Sequence, residues 1–391
     1  MASKITINDI TYTFNNLKDE NGSIATETPN NWFKNDYSKW NKDDPKTHGV
    51  ISGDLILEKV TKVGGFGINN LLKNVMLPDC KELKAEAFYM PTSSSTIEGV
   101  TYYSDINYII PKLEIIGEHA LCGNSNLDNI NFSKVTKIYK SGLALTNLKN
   151  LNLLNIEELG NNSLAYNKKL ISVKLSNKIK KIPYGCFDGD ELLVMEELPE
   201  TIEEIETMAF YYCNNLGLKK FPSNLKKINV GCISFAKIDV IVNYPESVEE
   251  IVGWSSQLNG NPNFYINKLP DSLKRISADG FSFSGMGERC TISVWDKKFI
   301  TECRPYSLSD THVSFSHLPY VTYYGRYCLS NCPKLTDLTL GSIGNPVTFI
   351  DTRAFEKSIN IKQLKVYTTG GQPLAGAPWG AVNATITYLP A

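Results

Sequence analysis

The side chains that most often do chemistry are few, or wrongly spaced, in this sequence. Four His in 391 residues are too thin a supply for a His-based catalytic or metal centre. His312 and His317 stand five apart, which is poor spacing for a shared metal ion. Nine Cys, at 80, 122, 186, 213, 232, 290, 303, 328 and 332, are potential nucleophiles, metal ligands or disulfide partners. Their count is odd and no C-x-x-C pair occurs, so they read as buried free thiols acting as small hydrophobes. Glu pairs recur, but at a fixed period that gives them a structural explanation before a catalytic one. The glycine-rich phosphate loops, the H-E-x-x-H zinc signature and the G-x-S-x-G nucleophile turn are all absent. The expectation is a protein with no enzymatic activity and no cofactor or metal.

Composition narrows the partners. The chain carries 40 Lys+Arg against 41 Asp+Glu, a formal net charge of −1, with 42% hydrophobic and 21% charged residues. That is a soluble, globular balance. It lacks the basic excess of a nucleic-acid or membrane-surface binder. No window approaches the roughly 18 consecutive apolar residues of a membrane span. The first residues, Met1 to Phe14, alternate like a strand and contain no signal-peptide core. Synthesis in the cytoplasm without Sec export is therefore expected, with a final location on a virion, in the extracellular space or at a cell surface.

Length alone predicts two or three domains, but an internal repeat changes that reading. Short motifs recur at Val135–Ile138, Ile156–Leu159, Ile179–Ile182, Ile202–Ile205, Leu225–Ile228, Val248–Ile251 and Leu273–Ile276, starting 21, 23, 23, 23, 23 and 25 residues apart. Seven and eight residues after a start comes a small residue and then a large apolar one, as in Cys186-Phe187, Ala209-Phe210, Cys232-Ile233, Gly280-Phe281, Cys328-Leu329 and Ala354-Phe355. An L-x-x-L-x-L strand signature follows at 127–132, 148–153, 170–175, 335–340 and 361–366. Pro199, Pro222, Pro245 and Pro270 fall where a strand must end. Extending the register gives about thirteen coils, with an insertion between 80 and 113 and a degenerate coil near 298. One coil cannot bury its apolar residues alone, whereas stacked coils align them into continuous columns.

The two residues after each start alternate Glu-Glu, Lys-Lys, Glu-Glu, Lys-Lys, Glu-Glu, Lys-Arg from 157 to 275. In an in-register stack such positions lie about 4.8 Å apart, where unlike charges pair and like charges repel. A charge ladder is predicted through Glu157/Glu158, Lys180/Lys181, Glu203/Glu204, Lys226/Lys227, Glu249/Glu250 and Lys274/Arg275.

The pattern x-x-I-x-x-x-A-F-x-x-C-x-x-L resembles the BspA-like (treponemal-type) leucine-rich repeats. Ile202 to Leu216 is the closest copy, with looser copies at 113–121, 179–187 and 347–355, and the resemblance covers about residues 55–366. It implies an α/β-type repeat solenoid, a strand-rich right-handed coil with a parallel sheet on its concave side. It also implies a non-enzymatic adhesion or recognition surface, often on bacterial cells, with no catalytic residues to carry over. The ending from Gly376 to Tyr388 is similar to closing segments of such proteins from gut bacteria and their phages. Together with the missing export signal, this implies a phage or prophage tail or receptor-binding component. A bacterial surface or secreted adhesin and a purely structural virion subunit are the alternatives.

The organisation expected is an N-terminal cap or attachment segment over 1–54, a solenoid over 55–366 and a C-terminal cap over 367–391. Residues 1–54 are the expected contact to other virion proteins. The expected partner is a cell-surface protein or glycan, with no nucleic acid, and an oligomer is possible. Outward strand positions Asp128, Asn129, Asn131, Lys149, Asn150, Asn152, Ser172 and Lys174 are the first candidate binding residues. Two segments that break the period supply the rest, because insertions in repeat arrays map to loops on binding faces. They contribute Tyr102, Tyr103 and Tyr108, then Arg304, Tyr306, His317 and Tyr320, residue types common at interfaces.

Overall fold

The period of about 23 residues is realised as two short strands per coil. In this computed structural model the described residues are 3–7, 10–14, 23, 25–28, 52–64, 66, 71–90, 94–97, 100–103, 106–229, 231–252, 261–276 and 283–391. They divide into two compact units, residues 1–202 with 208–216, and residues 203–207 with 217–391. Each unit is a strand-rich solenoid of stacked coils, and helix is confined to short 3-10 turns among the described residues.

The motif at each coil start forms the first ladder. In the first unit Lys62–Val63, Glu82–Leu83, Ile115–Ile116, Lys137–Ile138 and Glu158–Leu159 pair in parallel, in that order. Val63, Leu83, Ile116, Ile138 and Leu159 face the core, and the residue before each faces outward. In the second unit Glu204–Ile205, Lys227–Asn229, Glu250–Val252 and Arg275–Ile276 repeat the arrangement. Glu302–Cys303, Tyr323–Tyr324 and Phe349–Ile350 do so again. The L-x-x-L-x-L segments form the second ladder. Asn150–Leu153 pairs with Ser172–Leu175, and Asp337–Leu340 with Gln363–Thr368. Leu151, Leu153, Leu338, Leu340, Leu364 and Val366 are buried along it.

The small-then-large pair has a backbone reason. The large residue's N–H reaches the small residue's carbonyl in the next coil, as in Phe88 to Ala120 at 2.8 Å and Phe187 to Ala209 at 2.9 Å. The large residues beside the small sites stack. The Phe187 and Phe210 rings lie 5.3 Å apart and 4° from parallel. Pro199 and Pro245 do more than end a strand. Their carbonyls accept from the starts of the next coils, Ile202 at 3.0 Å and Val248 at 3.1 Å, and so turn the chain into the following coil. All nine Cys are free and buried, as the spacing predicts. Burial pushes the Cys122 thiol up to about 11 and that of Cys80 to about 12, far from the depressed values of reactive thiolates.

Several expectations need correction. The single strand expected from Ile5 to Phe14 is two antiparallel strands, Ser3–Ile7 and Ile10–Phe14, and the first pairs antiparallel with Ser52–Ile56. Residues 127–132 match the strand signature but form turns leading into a 3-10 turn, Phe132–Lys134. Asn131 Oδ1 accepts from the Ser133 N–H and hydroxyl, at 3.2 and 2.6 Å, so a local side-chain bond competes with the ladder. The 80–113 insertion contains an antiparallel pair, Ser94–Ile97 with Val100–Tyr103. The degenerate coil near 298 keeps its register, with Glu302 opposite Tyr323. Its Trp295 and Phe315 are buried core residues. Towards the C-terminus, Thr385–Pro390 continues the second ladder against Gln363–Thr368. Trp379 takes the small-site place there, its carbonyl accepting from Phe355 N at 2.9 Å, so this segment adds a coil. Trp32, Phe33, Tyr37, Trp40 and the pair Gly280-Phe281 lie outside the described residues.

Candidate recognition face

The first ladder presents charge outward, and that charge is largely paired coil to coil. Lys226 meets Glu203 at 2.7 Å, Lys227 meets Glu204 at 3.0 Å, Lys274 meets Glu249 at 2.8 Å and Arg275 meets Glu250 at 3.4 Å. The Glu203 carboxylate beside Lys226 holds its ammonium above the ordinary lysine value, and Glu204 does the same for Lys227. The first unit extends the pattern beyond the residues expected, with Lys62–Glu82 at 3.3 Å and Lys81–Glu114 at 3.0 Å. Two further pairs flank the predicted ladder: Glu158 with Lys137 of the preceding coil at 3.2 Å, and Glu157 with Lys178 at 2.9 Å. The alternation therefore sets register rather than leaving a charged groove open.

The second ladder is polar outward, and here the candidates separate. Asn129 donates to Asn107 Oδ1 at 2.6 Å, Asn107 to Asn74 Oδ1 at 3.1 Å, and Asn74 to Asp54 Oδ1 at 2.8 Å. Four successive coils thus spend these amides on one another, because aligned side chains lie within hydrogen-bond reach. Ser172 donates to Asn150 Oδ1 at 2.7 Å in the same manner, and Asn131 caps the 3-10 turn. By contrast Asp128, Lys149, Asn152 and Lys174 are exposed and have no side-chain hydrogen-bond or ion-pair partner among the described residues. Asn152 and Lys174 are direct register partners on the pair Asn150–Leu153 and Ser172–Leu175.

Lys174 also lines a shallow cleft of about 490 Å³, together with Leu154, Leu175, Met195, Glu197 and Glu200. The residues from Met195 to Glu200 carry no period-breaking signal in sequence, so the cleft was not legible there. It arises because the coil at 193–198 adds only an isolated bridge, Ser172 to Val194, to this ladder.

The period-breaking candidates scatter. Tyr108 is fully buried, its hydroxyl donating to Asn124 Oδ1 at 2.7 Å, so it is a core residue and no contact for a partner. Tyr102 and Tyr103 lie on the strand Val100–Tyr103 of the insertion. Arg304 is exposed and pairs with Glu302 at 3.2 Å, while Tyr306 is 51% exposed. His317 is exposed and its ring N–H donates to Gly341 O at 2.9 Å, and Tyr320 is half-buried.

A family model for the BspA type leucine-rich repeat region matches six copies, over residues 56–170, 100–196, 155–259, 192–297 and 259–369. The chain is a BspA-type leucine-rich repeat protein. Among solved structures, a leucine-rich repeat protein from Bacteroides ovatus is 15% identical with a TM-score of 0.61, over 99% of this chain and 89% of that one. That likeness is one of fold. A leucine rich cell surface protein from Faecalibacterium prausnitzii is 15% identical over 78% of this chain and 82% of that one, at a TM-score of 0.37. The pneumococcal vaccine antigen PcpA is 15% identical over 93% of this chain and 87% of that one, at 0.38. A search of curated protein sequences returns no match. No helix among the described residues of this BspA-type protein is long and apolar enough to cross a membrane.

Proposed function

We propose that this BspA-type protein is a non-enzymatic recognition module that binds a protein or glycan at a cell surface. The observation that carries the proposal is the unsatisfied polar row of the second ladder, where Asn152 is the register partner of Lys174 and Lys174 lines an open cleft. Lys149 and Asn152 offer hydrogen-bond capacity that the fold does not use, and the exposed Leu154 supplies apolar surface in the cleft. Its volume lies within the range of about 300–1,000 Å³ common to ligand sites. Coils stacked in register fix the backbone that carries these groups, so binding has mainly their side chains to order. Carriage on a phage-type particle, and attachment through residues 1–54, are finer readings that neither the fold nor the similar proteins favour.

The test is an array of immobilised glycans and extracellular proteins probed with the purified chain. Saturable binding to a defined subset is expected. Adding Lys174→Glu should weaken it at least about tenfold, the loss of one charge-assisted contact plus a like-charge penalty at Glu197. Uniform binding to every spot, or none to any, contradicts the proposal.

A further inference from the structure

All five arginines of the chain, at 275, 289, 304, 326 and 353, lie in one stretch of the sequence. Three of them, Arg304, Arg326 and Arg353, fall on successive coils of the second unit just after the strands Glu302–Cys303, Tyr323–Tyr324 and Phe349–Ile350. Arg353 Nη1 donates to Tyr327 Oη at 2.7 Å, and Arg326 Nη2 approaches the same oxygen at 3.5 Å. The Arg326 guanidinium lies 5.0 Å from the Tyr327 ring centroid, and Tyr306 packs 5.1 Å from that ring on its other neighbour. Two guanidiniums thus face one phenol oxygen. The guanidiniums keep further N–H donors beyond those spent on that oxygen.

The carboxylates of these coils engage Arg304 and Arg353. Glu302 binds Arg304, Asp351 accepts the Arg353 N–H at 2.9 Å, and Glu356 lies 3.8 Å from Arg353 Nε. Arg326 pairs with no carboxylate among the described residues. Tyr306 and Tyr327 have φ of +61° and +58°, and the equivalent turn of other coils takes Glu86, His119, Ser141, Asn162, Gly185 or Met208 at +53° to +58°.

We propose that Arg326, Tyr327 and Arg353 form an oxyanion subsite for an acidic polysaccharide. The exposed Tyr323 and Phe349 rings, stacked 5.0 Å apart on the strands that lead into these turns, offer an apolar surface for the sugar's C–H groups. An acidic peptide is the poorer fit, because Tyr323–Tyr324 is already paired on both sides and has no free edge for strand addition. This subsite lies in the second unit and shares no residue with the face proposed above, so either can fail alone.

The test is calorimetric titration of the whole chain with tetragalacturonate, a heparin tetrasaccharide, neutral cellotetraose and a Glu-rich hexapeptide. Saturable binding of at least one acidic saccharide is expected, weakening with added salt, and none of cellotetraose. The carboxylated and sulfated arms distinguish the source of the oxyanion. Arg326→Lys keeps the charge but loses the planar fork, and should weaken binding about tenfold at unchanged melting temperature. Tyr327→Asn should melt at the same or a higher temperature while losing binding, a combination that a purely structural tyrosine does not produce. Absence of binding to both acidic saccharides, tighter binding of the peptide, or affinity untouched by these substitutions overturns the proposal.

Discussion

Asp190 occupies the buried position eleven residues after a coil start, where Asn124, Asn167, Cys213 and Cys332 also sit. The asparagines there satisfy backbone on both sides. Asn124 Nδ2 donates to Phe88 O at 2.7 Å and Leu121 O at 3.2 Å. Asp190 does half of this: Oδ1 accepts the Asn167 N–H at 2.7 Å, and Oδ2 has no partner. Burial pushes its carboxyl well above the ordinary value of 3.8, so the folded chain holds a proton that the unfolded chain releases. Stability from this group is complete below pH 3.8 and is lost as pH rises through the folded value. Asp190→Asn should raise stability at neutral pH by about 1–2 kcal/mol, and the gap in melting temperature should widen from pH 4 to pH 7. A constant gap, or a lower melting temperature for the variant, speaks against a buried neutral acid. The sequence put Cys213 and Cys332 in this column, but the cost at Asp190 depends on burial by neighbouring coils, which a linear pattern does not express.

The two ladders have different physical origins and different sensitivities. Lys227 stands between Glu204 and Glu250 in register, so Lys227→Glu lines up three carboxylates. A loss of about 1–2 kcal/mol is expected, reduced by high salt and partly restored by adding Glu204→Lys. Chemical denaturation with and without 1 M salt measures both, and a salt-independent loss would assign the effect to packing instead. The core column is less forgiving. Phe187→Ala removes the ring stacked on Phe210 and should cost about 3–5 kcal/mol, read as a lowered denaturation midpoint. Alternating charges and the small-large pair made these elements legible because each depends on contacts one period apart. The segment 127–132 was not legible. It carries the same apolar spacing as 148–153, but Asn131 and Ser133 bond locally and pull the backbone out of the ladder.

As a whole the chain is a BspA-type solenoid in which strand register, not a catalytic constellation, positions the exposed side chains. The repeat disclosed this fold, because every coil restates it. The proposed binding face is only partly legible. Outwardness follows from strand alternation, so Lys149, Asn152 and Lys174 were found, but Asn129, Asn150 and Ser172 are occupied by neighbouring coils. Tyr108 was misplaced because an insertion erases the period that says which way a residue faces. The near-neutral charge follows from paired coils, and the face proposed for a partner is the unpaired polar row beside the cleft. Saturation binding of the labelled chain to intact bacterial and epithelial cells tests this most directly, comparing the natural sequence with Asn152→Ala/Lys174→Glu. The account predicts saturable binding to at least one cell type, with affinity falling at least about tenfold in the double variant at an unchanged circular dichroism spectrum. Equal binding by both proteins would contradict it.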